Sequence, residues 1–228
     1  MKILADFEAI GGTFVTPPED MRARLLNIRA FLFDWDGVFN NGMKYGDQGS
    51  PFSEEDSMGT NLLRLGYWLT HDRKMPITGV VTGATNQAAE YFVNREHFDV
   101  GIRGYTNKHE AWEAFLSAFD ITPEEVAFVY DDVLDLSMVQ FCALKFCVRR
   151  DAGPAFNDYV VRHGLCDYRT GRSGGSGAVR EISELILTLN GTFDDALKAR
   201  IAYADTYRTY LSARSAITPL SIVRTPAG

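Results

Sequence analysis

Residues 31–42 read Phe31-Leu32-Phe33-Asp34-Trp35-Asp36-Gly37-Val38-Phe39-Asn40-Asn41-Gly42, an apolar run that breaks into two aspartates one residue apart and then a turn glycine. A buried parallel strand is an uninterrupted apolar run of this kind, and it delivers its last side chains to the mouth of the sheet. Asp34 and Asp36 therefore emerge where the backbone leaves the sheet, and Gly37 lets the chain curl over them.

Outward from this strand, short apolar runs alternate with amphipathic stretches. Ala30–Trp35, Ile77–Thr82, Val100–Arg103, Val126–Tyr130 and Leu144–Val148 are the expected strands. Met58–Thr70, Asn86–Glu96, Lys108–Phe119, Leu134–Phe141 and Pro154–His163 are the helices between them. Each crossover is long enough to return a parallel strand, so the fold class is α/β, a doubly wound parallel sheet with helices on both faces. Three stretches fall outside the rhythm. Residues 1–29 form an extension ending in a short helix, Pro18–Asn27. Residues 42–54, with Gly46, Asp47 and Gly49 at their centre, suit a β-hairpin flap beside the first strand. Residues 191–228 hold an amphipathic helix from Thr192 to about Ser212 and a frayed tail, which leaves 30–190 as the core, flap included.

Composition narrows the functional classes. The chain has 228 residues, 46% hydrophobic and 23% charged, enough for one large α/β domain with extensions. A formal net charge of −7 and the lack of any Lys/Arg cluster speak against nucleic acid as the main partner. The apolar runs are strand-sized, and the first residues meet a charge too early for a signal peptide, so no membrane partner and a cytoplasmic location are expected. Cys142, Cys147 and Cys166 are an odd set without CxxC spacing and read as buried thiols.

The polar residues at the strand ends carry the chemistry. After the first strand come Asp34 and Asp36; after the second, Thr82-Gly83; Lys108 opens the helix after the third; after the fourth come Asp131-Asp132 and, one turn on, Asp135. The carboxyl ends of parallel strands share one edge, so these groups should meet in one crevice. At an effective dielectric near 20, each close pair among four carboxylates costs on the order of a few kcal/mol. Lys108 alone does not balance that, and oxygen ligands without His or Cys favour Mg²⁺. A cation on one side and Thr82, Gly83 and Lys108 on the other make a cage for a phosphoryl group.

Taken in order and spacing, Asp34-Trp35-Asp36-Gly37-Val38, Thr82-Gly83, Lys108 and Asp131-Asp132-x-x-Asp135 resemble the four motifs of the haloacid dehalogenase (HAD) superfamily of aspartate-nucleophile phosphatases. Val38, Asn41-Gly42 and Gly174-Gly175-Ser176-Gly177-Ala178-Val179-Arg180-Glu181 are similar to a narrower branch, the capless 3-deoxy-D-manno-octulosonate 8-phosphate phosphatases. The resemblance implies a Rossmann-like core with no large cap domain and a Mg²⁺-dependent phosphomonoesterase acting on a sugar or sugar acid phosphate through an aspartyl phosphate. It implies Asp34 as nucleophile, Asp36 as acid and base, and Lys108 and Asp135 in catalysis. Asp34, the Asp36 carbonyl and Asp131 would hold the metal, and Thr82, Gly83, Asp56 and Arg180 would bind substrate. It further implies a homotetramer whose flaps form a central barrel, with residues 171–181 of one subunit closing a neighbour's site.

Five positions depart from the branch. Ala84 stands where an arginine is usual and Glu55-Asp56-Ser57 where Arg-Asp-Gly is, so two cations are missing from the expected pocket rim. Tyr130 and Trp35 add bulk that either narrows the pocket or fills core. A nucleotide or another phosphorylated alcohol is thus an alternative substrate, and a non-catalytic protein on the same fold is an alternative of another class.

Overall fold

The computed structural model describes residues 2–46, 49–84 and 86–224. In chain order the elements are α1 (Lys2–Ala9), β1 (Thr13–Phe14), α2 (Pro18–Leu25), β2 (Ala30–Asp34), α3 (Glu54–Thr70), β3 (Ile77–Thr82), α4 (Gln87–Arg95), β4 (Val100–Arg103) and α5 (Lys108–Phe119). They continue with β5 (Val126–Tyr130), α6 (Leu136–Val139), β6 (Leu144–Arg149), α7 (Pro154–Arg162), β7 (Tyr168–Ser173), α8 (Ala178–Leu189), α9 (Phe193–Ala202), α10 (Asp205–Ser215) and β8 (Leu220–Val223).

One eight-stranded sheet runs β1-β7-β6-β5-β2-β3-β4-β8, parallel throughout except for the antiparallel β1–β7 pair. β2 lies at its centre and is buried on both faces. Alternation along it feeds two cores: Phe31 and Phe33 pack with α2, α4 and α8, and Ala30 and Leu32 with α5, α6 and α7. The α/β fold expected from the sequence is the one found.

Register places the site. Asp34 lies opposite Val81, next to Thr82, and Phe33 lies opposite Val129, two residues before Asp131. The polar termini of β2, β3 and β5 thus leave the sheet at one level.

The structure differs from expectation in four places. Among the described residues of 42–54 there is no strand, and Asp47 lies outside them. The hairpin is replaced by a loop tied to β2's exit: Ser50 Oγ donates to Met43 O (2.6 Å) and Asp36 Oδ1 (2.9 Å), and Trp35 Nε1 donates to Ser50 O (3.1 Å). Backbone groups that a hairpin would pair are spent on this anchoring. α3 begins at Glu54 instead of Met58 because Ser53 caps it, accepting from Asp56 N. A strand outside the expected set, β7, pairs with β6 and runs straight into the turn before α8. The C-terminal helix is broken at Tyr203, which takes a left-handed conformation, and the tail beyond α10 forms β8 against β4. α9 and α10 cover α3 through a small cluster of Leu65, Trp68, Ala196, Tyr207 and Tyr210.

Trp35 and Tyr130 are core. Trp35 stacks on Phe39 at 5.0 Å, and Tyr130 sends its hydroxyl to Leu165 O at 2.7 Å; neither is exposed. Among the described residues no helix is long and apolar enough to cross a membrane, and all three cysteines are free and buried.

Candidate active site

The turn after β2 is made possible by Gly37. Its φ is +89°, and a Cβ there would sit 2.0 Å from Asp131 Oδ2, so no side chain fits between the two acidic loops. Asn40 locks the turn: its Oδ1 accepts from Gly37 N (3.2 Å) and Gly42 N (2.9 Å), and its Nδ2 donates to Trp35 O (3.1 Å). Gly174 buttresses it from outside, with a hypothetical Cβ only 2.0 Å from Gly37 O. The glycine-rich segment therefore shapes this chain's own acidic loop.

Inside, Asp34, Asp131 and Asp135 each offer a carboxylate oxygen within 4.8 Å of the others, and all three are buried. Lys108, from the first turn of α5, reaches Asp34 Oδ1 at 2.5 Å and also contacts Asp135 Oδ1. Asp135 is fixed through its other oxygen by Asp131 N (3.3 Å) and Asp132 N (3.2 Å). Asp36 lies to the side, its carboxylate held by Lys44 and Ser50. Thr82 is buried at the end of β3, with Gly83 beside it on the crevice wall and Ala84 N at 3.4 Å from Thr82 Oγ1.

These charges do not balance. Burial, then the neighbouring Asp135, raise the carboxyl of Asp34 well above its ordinary range, against the pull of Lys108. Asp131 is pushed up to about 7 by burial and Asp135, with Arg150 opposing. Burial alone would lower the Lys108 ammonium, but Asp34 and Asp135 outweigh it and the net shift is upward. Buried acids whose carboxyls are raised by burial and by one another mark a site short of positive charge. Three converging carboxylates without His or Cys fit a hard divalent cation.

The crevice, about 470 Å³, brings together Asp34, Asp36, Thr82, Gly83, Lys108, Asp131 and Asp135. It does not include Asp56 or Arg180. Asp56 is fully buried and accepts from Arg180 N (3.0 Å) and Ser53 Oγ (2.8 Å), so it ties α3 to the start of α8 and does not face substrate in this crevice. Arg180 pairs with Glu184 and faces a separate hollow with Glu55 and Arg172.

Two crevice residues escaped the sequence reading. Arg150, just past β6, grips Asp131 Oδ2 through Nε (2.6 Å) and Nη2 (2.5 Å). Lys44 reaches Asp36 from the loop after β2. For Arg150 a signal existed, because Arg149-Arg150 follows an apolar strand at the same sheet edge.

No family model matches the chain. Among curated relatives, the 3-deoxy-D-manno-octulosonate 8-phosphate phosphatase of Escherichia coli is 32% identical over 181 residues, covering 78% of this chain and 88% of the relative. The enzyme of the same name from Salmonella typhi is 31% identical over 174 residues, 75% and 85% of the two chains. This chain belongs to the 3-deoxy-D-manno-octulosonate 8-phosphate phosphatase family. Solved structures agree with that family in fold. The phosphatase from Yersinia pestis superposes with a TM-score of 0.62 at 28% identity, covering 77% of this chain and 89% of that one. The Moraxella catarrhalis enzyme, solved with magnesium, phosphate and KDO, gives 0.63 at 24% identity, covering 79% and 98%. The chain is thus a phosphatase of the HAD type, with the family's capless core.

Proposed function

We propose that this protein is a Mg²⁺-dependent phosphomonoesterase acting on a sugar acid phosphate of the 3-deoxy-D-manno-octulosonate 8-phosphate kind. The convergence of Asp34, Asp131, Asp135 and Lys108 in one buried cluster carries the reading. In it, Asp34 and Asp131, with the Asp36 carbonyl, would hold the cation. When bound, the cation supplies charge neutralisation for the phosphoryl oxygens.

Asp34 attacks phosphorus: an O–P bond to the carboxylate forms while the ester O–P bond breaks, and Asp36 gives its proton to the departing alkoxide. Water then attacks the acyl phosphate, Asp36 takes its proton, and inorganic phosphate leaves with the Asp34 carboxylate restored. Thr82 and Gly83 donate to phosphoryl oxygens, Lys108 offsets their charge, and Asp135 orients Lys108. The uncatalysed hydrolysis of such monoesters is slow enough to warrant this route.

Family membership also supports a cytoplasmic homotetramer in which Arg180 serves a neighbouring subunit's site, with 30–190 as the catalytic core. A phosphate-release screen over sugar, sugar acid and nucleotide monophosphates, with Mg²⁺ and with chelator, tests the reading. Expected is Mg²⁺-dependent release strongest on the sugar acid ester and abolished in Asp34→Asn and Asp36→Asn. Undiminished turnover in Asp34→Asn, or none by the wild type on any ester, would overturn it.

A further inference from the structure

Among the described residues, five carboxylates and three cations line the catalytic crevice, a formal surplus of two negative charges that one divalent cation would cancel. The three cations are not equivalent. Lys108 is sealed in, 5% exposed, with Asp34 and Asp135 on either side. Arg150 and Lys44 stand on the rim, with 37% and 58% of their side chains exposed.

Both rim cations lie on one side. The position of a Cβ on Gly42 would be 3.3 Å from both terminal nitrogens of Arg150, and Lys44 follows two residues later in the same loop. The opposite wall, after β3 and β4, presents Ala84, Tyr105 and Thr106, which are uncharged. Among the described residues, each rim cation spends only part of its donor set within the protein. Arg150 places Nε and Nη2 on the single oxygen Asp131 Oδ2, while Nη1 has only a 3.4 Å contact to Asn41 O. A guanidinium has five N–H donors and an ammonium three, so both keep donors for a ligand in the crevice. The volume of about 470 Å³ holds far more than a phosphoryl group.

Resting on the phosphatase reading above, we infer that Lys44 and Arg150 are specificity-determining residues that bind a second anionic group of the substrate, the carboxylate of a phosphorylated sugar acid. With the phosphoryl group at Asp34 and Lys108, the rest of the molecule runs toward the cationic rim, and the acid's carboxylate ends there. Electrostatic complementarity of this kind selects among esters that share the same reacting group.

The test is the ratio of kcat/KM for 3-deoxy-D-manno-octulosonate 8-phosphate to that for a neutral sugar phosphate such as mannose 6-phosphate, in wild type, Lys44→Gln, Arg150→Gln and the double variant. A ratio cancels any loss that reaches both substrates through Asp36 or Asp131. Expected is a fall of about 10-fold or more in each single variant, the size of one lost charge-assisted hydrogen bond, with the loss in KM for the acid and partial recovery in Arg150→Lys and Lys44→Arg. A ratio unchanged in the double variant overturns the assignment and leaves the phosphatase reading intact, as does a raised Mg²⁺ requirement with equal losses on both esters. Wild type that hydrolyses neither ester in a Mg²⁺-dependent way overturns both.

Discussion

Two of the places where the molecule buries carboxylates treat them differently. At the start of α8, Glu181 receives Tyr168 OH at 2.7 Å and the backbone N–H groups of Gly171 and Arg172 at 2.8 Å each. In the crevice, Asp34 and Asp131 are met chiefly by other acids and by one cation each, and their carboxyls are raised. A buried carboxylate supplied with N–H and O–H donors is scaffold. One crowded by its own kind is held for a partner from outside. Asp56 belongs with Glu181: burial raises its carboxyl, but Ser53 and the N–H of Arg180 oppose the shift.

The contrast is broken most directly at Lys108. Lys108→Met removes the ammonium between Asp34 and Asp135, and phosphate release from an aryl phosphate should fall at least about 10³-fold. Stability in urea at pH 8 should drop by about 3 kcal/mol, the range found when a buried ion pair loses one member. A Lys108→Met enzyme that keeps its turnover would remove the crevice from catalysis. Glu181→Ala should do the reverse. It strands the buried Tyr168 hydroxyl and two part-buried N–H groups, the hydroxyl at about 1 kcal/mol or more, so urea unfolding should shift by about 2 kcal/mol while kcat per folded molecule stays within about three-fold. A large loss of kcat at unchanged stability would put Glu181 with the crevice acids.

Much of this contrast could be read in the chain, and the part that could not has a physical cause. β3, β4 and β5 span the residues expected of them, because a strand covered on both faces must be an apolar run. The acids were legible because such a run ends in charge only at the sheet's mouth. β7 was hidden: Tyr168-Arg-Thr-Gly-Arg-Ser173 has no apolar alternation, and the edge of β6 organises it as a strand. β8 was likewise hidden in a short segment whose partner, β4, lies over a hundred residues earlier. The loop that replaces the predicted hairpin depends on Ser50 meeting Asp36 and Met43, which no local pattern announces. Lys44 is an ordinary surface residue by sequence and Arg150 is marked only by its place just past an apolar strand, so it takes the folded chain to set them on Asp36 and Asp131.

A gentler probe uses pH. With Asp131 pushed up to about 7 and an ordinary unfolded carboxyl near 4, the folded state keeps a proton that the unfolded state gives up. Stability of the metal-free protein is therefore greatest on the acid side of this window and falls as pH rises through about 7, by up to a few kcal/mol. A divalent cation favours the ionised form, so it should raise Tm more at pH 8 than at pH 5. In Asp131→Asn both the fall and the cation's pH dependence should shrink. A Mg²⁺ effect on Tm independent of pH in the wild type would mean that the cation does not compete with this proton.

The smallest effect separates two neighbours. Asp132 lines the crevice, yet its carboxylate accepts from Val133 N at 2.7 Å and caps the turn that carries Asp135. It is exposed and takes no part in the buried trio. Asp132→Ala should therefore cost about 1 kcal/mol, the usual value of a lost cap, and leave the Mg²⁺ concentration for half-maximal activity within about two-fold. Asp132→Asn, which keeps a capping oxygen and removes the charge, should recover most of that stability. If Asp132→Asn instead weakened Mg²⁺ activation ten-fold, the charge itself would count, and the line between scaffold acids and cation-binding acids would have to be redrawn one residue further along the loop.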